Sequence, residues 1–177
     1  VAPLRARLRG LCARGAGDRA FFCNSGAEAN EAAIKLARKY AHTRLGIARP
    51  TVITALASFH GRTLATVTAT GQPRYQQNFD PLVPGFHHVP FNDFAAPGPA
   101  VVALARAGRQ VAAILLEPLQ GEGGIRPGDP AYFRQVRELC DARGILLMFD
   151  EVQVGVGRSG LMWGHQHLGV APDVLTL

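Results

Sequence analysis

The stretch Ile145-Leu146-Leu147-Met148-Phe149-Asp150-Glu151-Val152-Gln153 decides how this chain folds. Five apolar residues run without interruption into two carboxylates. A strand that is apolar at every position has no wet face, so it belongs in a sheet covered on both sides. Open sheets of that kind bind ligands outside the carboxyl ends of their strands. The end of this strand is where the sequence turns acidic. Asp150 continues a buried strand, and a carboxylate there is costly unless a cation pairs with it.

Working outward, the same pattern recurs. Pro130–Arg143 reads as a helix before the strand Ile145–Phe149, and Val111–Leu116 reads as another apolar strand with a short helix, Val101–Ala107, ahead of it. Thr51–Ala57 is β-branched and apolar, a strand. Gly26–Tyr40 reads as a helix, with Ala29, Ala33, Leu36, Ala37 and Tyr40 on one stripe. Ala20–Cys23 reads as a short strand, Arg62–Thr70 as a Thr-rich helix, and Val174–Leu177 as the start of a further strand. Gln72–Pro99 carries six prolines and reads as a long irregular excursion. Strands alternating with helices define the expected fold class: α/β, a mainly parallel sheet with helices on both faces. There is no internal repeat and no linker that would divide the chain.

Composition removes several classes. Gly and Pro together make 32 of 177 residues, below the roughly 25–30% of low-complexity chains. The longest clean apolar run, Val111–Leu116, is far short of the roughly 18 residues of a membrane span, so no membrane partner is expected. The net charge is +6, and 17 of the 19 cations are Arg, but they are spread along the chain instead of forming a patch, so no nucleic acid is expected. Arg5, Arg7, Arg9 and Arg14 form the densest group. With Leu4, Leu8 and Leu11 at helical spacing, they read as a surface helix more readily than as a transit peptide. Cys12, Cys23 and Cys140 are odd in number and lack any CxxC spacing, so neither zinc, another metal nor a disulfide framework is indicated. Reduced thiols and no secretory segment point to the cytoplasm. Charged residues are only 18%, against about 25% in a typical domain, so either much of the chain is buried or part of its surface is covered by a partner or by further chain.

Three further constellations sit at predicted strand ends. Phe22-Cys23-Asn24-Ser25-Gly26-Ala27-Glu28 is a strand–turn–helix with Ser25 and Glu28 at capping-box spacing. Gly26 and Ala27 leave backbone N–H groups open at a helix start, where phosphate binds well. Ser58-Phe59-His60-Gly61-Arg62 brings together a ring that stacks and a guanidinium that holds carboxylates bidentately. Glu117-Pro118-Leu119-Gln120-Gly121-Glu122-Gly123-Gly124 sets two acids beside a flexible loop. For Asp150 three chemistries are open. A magnesium-dependent nucleotide hydrolase needs an upstream phosphate loop ending Gly-Lys, and no Gly-Lys pair exists here. A dinucleotide fold is suggested by Gly155-Val156-Gly157-Arg158-Ser159-Gly160, but carboxylates intervene between that motif and the strand, and they would repel a pyrophosphate. The third is an Asp facing a protonated ring nitrogen, as in pyridoxal phosphate enzymes.

Four motifs together, Asn24-Ser-Gly-Ala-Glu-Ala-Asn-Glu31, Phe59-His-Gly-Arg-Thr63, Glu117-Pro-Leu-Gln-Gly-Glu-Gly-Gly124 and Asp150-Glu-Val-Gln153, resemble in order and spacing the class III, ornithine-type, pyridoxal-phosphate-dependent aminotransferases. Thr70-Gly-Gln-Pro-Arg-Tyr75 through Pro84-Gly-Phe-His-His-Val-Pro-Phe-Asn-Asp93 is most similar to the branch that uses N-acetylornithine. The resemblance implies that residues 1–177 are the central part of the large, cofactor-binding domain of a fold-type I enzyme, with pyridoxal 5'-phosphate as cofactor. It implies that Ser25, Gly26 and Ala27 bind the cofactor phosphate, Phe59 stacks on the ring, Asp150 pairs with the ring nitrogen and Gln153 bonds the phenolic oxygen. Arg62 is implied as the holder of the substrate carboxylate, Glu122 as the switch acid that meets substrate, and Glu117 as its catalytic support. Val154 stands where the family pattern suggests a small polar residue.

The activity so implied is transfer of the amino group of N-acetylornithine, or a similar ω-amino acid, to 2-oxoglutarate, in arginine or lysine biosynthesis, by a cytoplasmic homodimer. Ornithine, succinylornithine and 4-aminobutyrate are the alternative donors; a non-catalytic fragment of the fold is the alternative outside catalysis. The chemistry needs a lysine to bond the cofactor. The family's lysine follows a strand like Asp173–Leu177, and the only lysines here are Lys35 and Lys39. The expectation is that this polypeptide alone does not transaminate.

Overall fold

The computed structural model describes residues 19–177. The predicted Arg-rich helix before Asp18, and Cys12, lie outside them. The chain runs through α1 (Gly26–Arg44) into β1 (Pro50–Ala55). Two short helices follow, α2 (Leu64–Ala69) and α3 (Pro73–Gln76), then β2 (Phe86–Val89). Next come α4 (Pro97–Arg106) and β3 (Gln110–Leu116), a small antiparallel ribbon of β4 (Leu119–Gln120) and β5 (Arg126–Pro127), and α5 (Pro130–Arg143). The last elements are β6 (Leu146–Asp150), a 3-10 turn over Gly164–His167, and β7 (Val174–Thr176).

Five strands form one sheet in the order β2-β1-β3-β6-β7, with every neighbouring pair parallel. The two-residue period of the strands sorts their side chains onto two cores. Ile53, Ile114, Leu116, Leu147 and Phe149 face Val101 and Leu104 of α4 and Phe133 and Val136 of α5. The residues between them, Val52, Ala113, Leu115 and Met148, face Ala33 and Ala37 of α1. Both faces are therefore dry, which is why the strands carry no polar alternation. The boundaries of α5 follow from its ends. Asp129 Oδ1 accepts from the N–H groups of Ala131 and Tyr132, Pro130 opens the first turn, and Gly144 takes a left-handed φ of 63° after the last.

Three expectations need correction. Ala20–Cys23 is not a strand; neither edge of the sheet, β2 or β7, pairs with it, and Phe21 lies exposed. The proline-rich excursion hides β2, an edge strand of four residues containing His87 and His88, too short and too polar to show as an apolar run. α1 runs on to Arg44, and its buried face is Asn30, Ala33, Ile34, Ala37 and Ala41; Leu36 is exposed. An apolar stripe could not reveal that face, because one of its members, Asn30, is polar and satisfied inside.

Candidate active site

The carboxyl ends of β1, β3 and β6 open onto one side of the sheet, where the first turn of α1 meets them. Residues from all four line a cavity of about 270 Å³, among them Gly26, Ala27, Phe59, Glu117, Asp150 and Gln153. Ser25 caps α1, its Oγ accepting from Glu28 N at 3.2 Å. Glu28 reaches back one residue past the expected partner, and its Oε2 accepts from Asn24 N at 2.7 Å. With the cap satisfied by Glu28, the N–H groups of Gly26 and Ala27 make no hydrogen bond among the described residues. A Cβ on Gly26 would run into Val152, so only glycine lets the helix start this close to the strand end.

Asp150 ends β6 and is 5% exposed. Its Oδ2 lies 2.8 Å from His60 Nδ1 and accepts from Asn30 Nδ2 at 2.7 Å, and its Oδ1 accepts from Val152 N at 3.1 Å. Asn30 is fixed in turn, since Thr176 Oγ1 donates to its Oδ1 at 2.8 Å. Burial works against a charged His60, yet the hydrogen bond and charge of Asp150, with the charge of Glu117 behind, outweigh it and raise the imidazole above its ordinary value. His60 Nε2 is buried with no partner among the described residues. Glu117, just past the end of β3, accepts from Phe59 N at 3.2 Å. Burial pushes its carboxyl up to about 7, against the opposing pull of His60.

At the mouth lie Arg62, Glu122 and Tyr75. Arg62 does not line the cavity; its guanidinium sits over the Tyr75 ring, 4.6 Å from the centroid, and 5.7 Å from that of Phe59. Tyr75 donates its hydroxyl to Glu122 Oε2 at 3.2 Å. Ser25 is likewise outside the lining. The other residues singled out in the sequence, Gly26, Ala27, Phe59, Glu117, Glu122, Asp150 and Gln153, come together around the cavity.

Sequence reasoning missed Asn30 and His60 as partners of Asp150. The demand for a cation beside a buried carboxylate was a signal for His60; nothing local marked Asn30, 120 positions away from Asp150. It also missed Glu151, whose side chain turns away from the cavity. Glu151 Oε1 accepts from His165 N and lies 2.8 Å from His165 Nδ1, while Oε2 accepts from Gly164 N at 2.6 Å. The segment 155–160 is a run of turns that opens no α-helix, so its glycine spacing is not a dinucleotide site. Val154 is buried within reach of Gly164, which suits an apolar residue.

A parallel sheet with a buried acid–imidazole pair and a free helix start at its carboxyl edge is the arrangement expected of a fold-type I enzyme. Residues 3–177 match the model of the aminotransferase class-III family. The chain belongs to that family, whose members depend on pyridoxal phosphate. It is 70% identical over 166 residues to the acetylornithine aminotransferase of Thermosynechococcus vestitus, a match that covers 94% of this chain and 40% of that protein. The chain thus spans well under half the length of that relative. Among solved structures it is similar to an (S)-enantioselective omega-transaminase of Thermomicrobium roseum, with TM-score 0.87, 32% identity, and coverage of 98% of this chain and 42% of that one. It is also similar to the ornithine aminotransferase of Toxoplasma gondii, described with partial occupancy of PLP at its active site, with TM-score 0.80, 35% identity, and coverage of 86% and 35%.

The residues present suit such a cofactor. Two unpaired N–H groups at the start of a 19-residue helix offer a phosphate its donors, and the helix dipole favours the negative charge. The buried Asp150 carboxyl lies across the same cavity, bonded to Asn30, His60 and Val152 N, where a protonated ring nitrogen would be stabilised.

Proposed function

We infer that this chain is the central part of the large domain of an enzyme that transfers the amino group of N-acetylornithine, or a similar ω-amino acid, to 2-oxoglutarate, in arginine or lysine biosynthesis. One observation carries the reading: buried Asp150, fixed by Asn30 and His60, lines the same cavity as the unpaired N–H groups of Gly26 and Ala27. Pyridoxal phosphate, when bound, supplies the electron sink that lets an amino group be exchanged between an amino acid and an oxo acid. Gly26 and Ala27, with Ser25 as their cap, bind its phosphate. Phe59 packs on its ring, Gln153 donates to its phenolic oxygen, and Asp150 holds the proton on its ring nitrogen. His60, its imidazole raised by its bond to Asp150, holds that carboxyl in place from behind. Arg62 takes the substrate carboxylate. Glu122, tied to Tyr75 at the mouth, screens cationic groups as donor and acceptor alternate, and Glu117 supports it by holding the backbone of Phe59.

The donor follows the name of the relative that is 70% identical. A cytoplasmic homodimer is part of the same proposal. Leu64, Phe79, Ile125 and Val156 are largely exposed, and the low share of charge supports a covered surface. Among the described residues no helix is long and apolar enough to cross a membrane. Lys35 and Lys39 lie exposed on α1, and neither lines the cavity. The 177 residues by themselves therefore do not transaminate under this reading. The test is made on the full-length protein that contains them. It should take up pyridoxal phosphate and turn over N-acetylornithine with 2-oxoglutarate faster than ornithine, succinylornithine or 4-aminobutyrate. Preference for another of these moves the donor; failure to take up the cofactor ends the reading.

A further inference from the structure

None of the residues Thr70–Tyr75 lines the cavity. The structure shows what this stretch builds. Gly71 lies against β1, where a Cβ would run into the carbonyl oxygen of Ala55. Its N–H donates to Ser58 Oγ at 3.0 Å, its carbonyl accepts from Ala57 N at 2.8 Å, and Gln72 Nε2 donates to Ser58 O at 3.0 Å. Gln76 Nε2 donates to Thr70 O at 2.9 Å. These bonds fasten α3 to the turn that carries Phe59 and to the end of α2. Tyr75 is thus presented on a segment pinned at both ends.

From that position Tyr75 touches four groups at the mouth of the cavity. Arg62 and Arg74 each place a guanidinium 4.6 Å from its ring centroid. Its ring meets Phe59 edge-on, with centroids 5.3 Å apart. Its hydroxyl donates to Glu122 Oε2 at 3.2 Å and accepts from Arg74 Nη2 at 3.1 Å. A guanidinium over an aromatic face is held by the ring quadrupole, and its planar fork is oriented by the stack. Among the described residues Arg62 has no acidic partner; the Tyr75 and Phe59 rings are what hold its head group.

We propose that Tyr75 is the positioning residue of the cavity mouth: its ring is the platform that aims Arg62 at a substrate carboxylate, and its hydroxyl ties Glu122 to that platform. The proposal rests on the carboxylate role of Arg62 inferred above. It makes Tyr75 a determinant of how well dicarboxylates and ω-amino acids are told apart, with no role in bond making.

The experiment measures glutarate binding by calorimetry, and KM and kcat for both substrates, in the full-length protein loaded with pyridoxal phosphate. Tyr75→Leu removes ring and hydroxyl. It should weaken glutarate binding about two- to five-fold, the range of an exposed cation–π contact, and raise KM for 2-oxoglutarate with kcat nearly unchanged. Tyr75→Phe keeps the ring. It should restore glutarate affinity while still altering KM for the amino donor, because Glu122 has lost its tie. In an Arg62→Ala background Tyr75→Leu should have no further effect on glutarate. Unchanged glutarate binding in Tyr75→Leu overturns the proposal, as do an equal loss in Tyr75→Phe and an undiminished loss in the Arg62→Ala background. Failure of the underlying reading shows elsewhere, in unsubstituted protein that binds neither pyridoxal phosphate nor glutarate.

Discussion

Asp150 and Glu151 are neighbours in sequence, both buried, and each lies 2.8 Å from the Nδ1 of a histidine. Their surroundings nevertheless give them opposite work. Asp150 faces the cavity between β6 and α1. Its side-chain partners are Asn30 and His60, with one backbone bond from nearby Val152 N, and it lines space that a ligand can fill. Glu151 points the other way, into the loop that returns to β7. It takes two backbone N–H groups, from Gly164 and His165, beside the His165 ring. The same chemical pair is thus a site on one side of the strand end and a clasp on the other. The difference is in the other partners: a carboxylate that takes backbone donors from a returning loop fixes that loop, while one held by side chains and by its own strand end is available to something else.

Substitutions at the two positions should separate these roles. Glu151→Ala removes the acceptor of two buried N–H groups and leaves the His165 ring without its hydrogen-bond partner. Leaving a buried donor unsatisfied costs about 1–3 kcal/mol, and the loss is read as a fall in the denaturation midpoint of the full-length protein. Any loss of activity should follow the unfolded fraction. Asp150→Asn keeps the shape and one acceptor oxygen, so stability should fall much less. The full-length protein should still bind pyridoxal phosphate while kcat drops about 10²–10³-fold, the range for removing one preorganised electrostatic partner. Near-normal turnover would refute the ring-nitrogen role. A larger stability loss in Asp150→Asn than in Glu151→Ala would break the comparison itself.

How much of this was legible in the sequence follows the same divide. The apolar strands were plain because both faces of the sheet are covered, so β1, β3 and β6 lack alternation altogether. α5 was plain because Asp129, Pro130 and Gly144 mark its ends locally. The acids at strand ends were visible as residues, and the order of the four motifs led to the class. What stayed hidden was pairing across distance. Asn30 looks like a helix surface residue until β6 and β7 are packed beside it. Glu151 looks like a second catalytic acid until the chain has returned through His165. β2 was hidden for another reason: an edge strand of four residues carries too little apolar pattern to stand out from the prolines around it.

Glu117 extends the comparison to a third buried acid, one with no tightly bonded partner. It accepts only the 3.2 Å bond from Phe59 N, so burial dominates and its carboxyl is pushed from 4.5 up to about 7. Folded protein then binds a proton more tightly than unfolded chain does. Between about pH 4.5 and 7 the folded state holds more protons, so stability falls as pH rises through that window. One pKa unit corresponds to about 1.4 kcal/mol, which bounds the contribution at on the order of 3 kcal/mol. His60 tilts the curve in the same direction, because its folded value is raised and its stabilisation is lost as pH rises through that value. Glu117→Gln removes the first contribution and keeps the larger part of the second, which comes from Asp150. Denaturant titrations of the full-length protein between pH 5 and 8 should therefore show a flatter slope in the variant, with most of the remaining slope at the high-pH end. An unchanged slope would mean that Glu117 is ionised throughout, paired with His60 as Asp150 is. The contrast between a fixed acid and a merely buried one would then disappear.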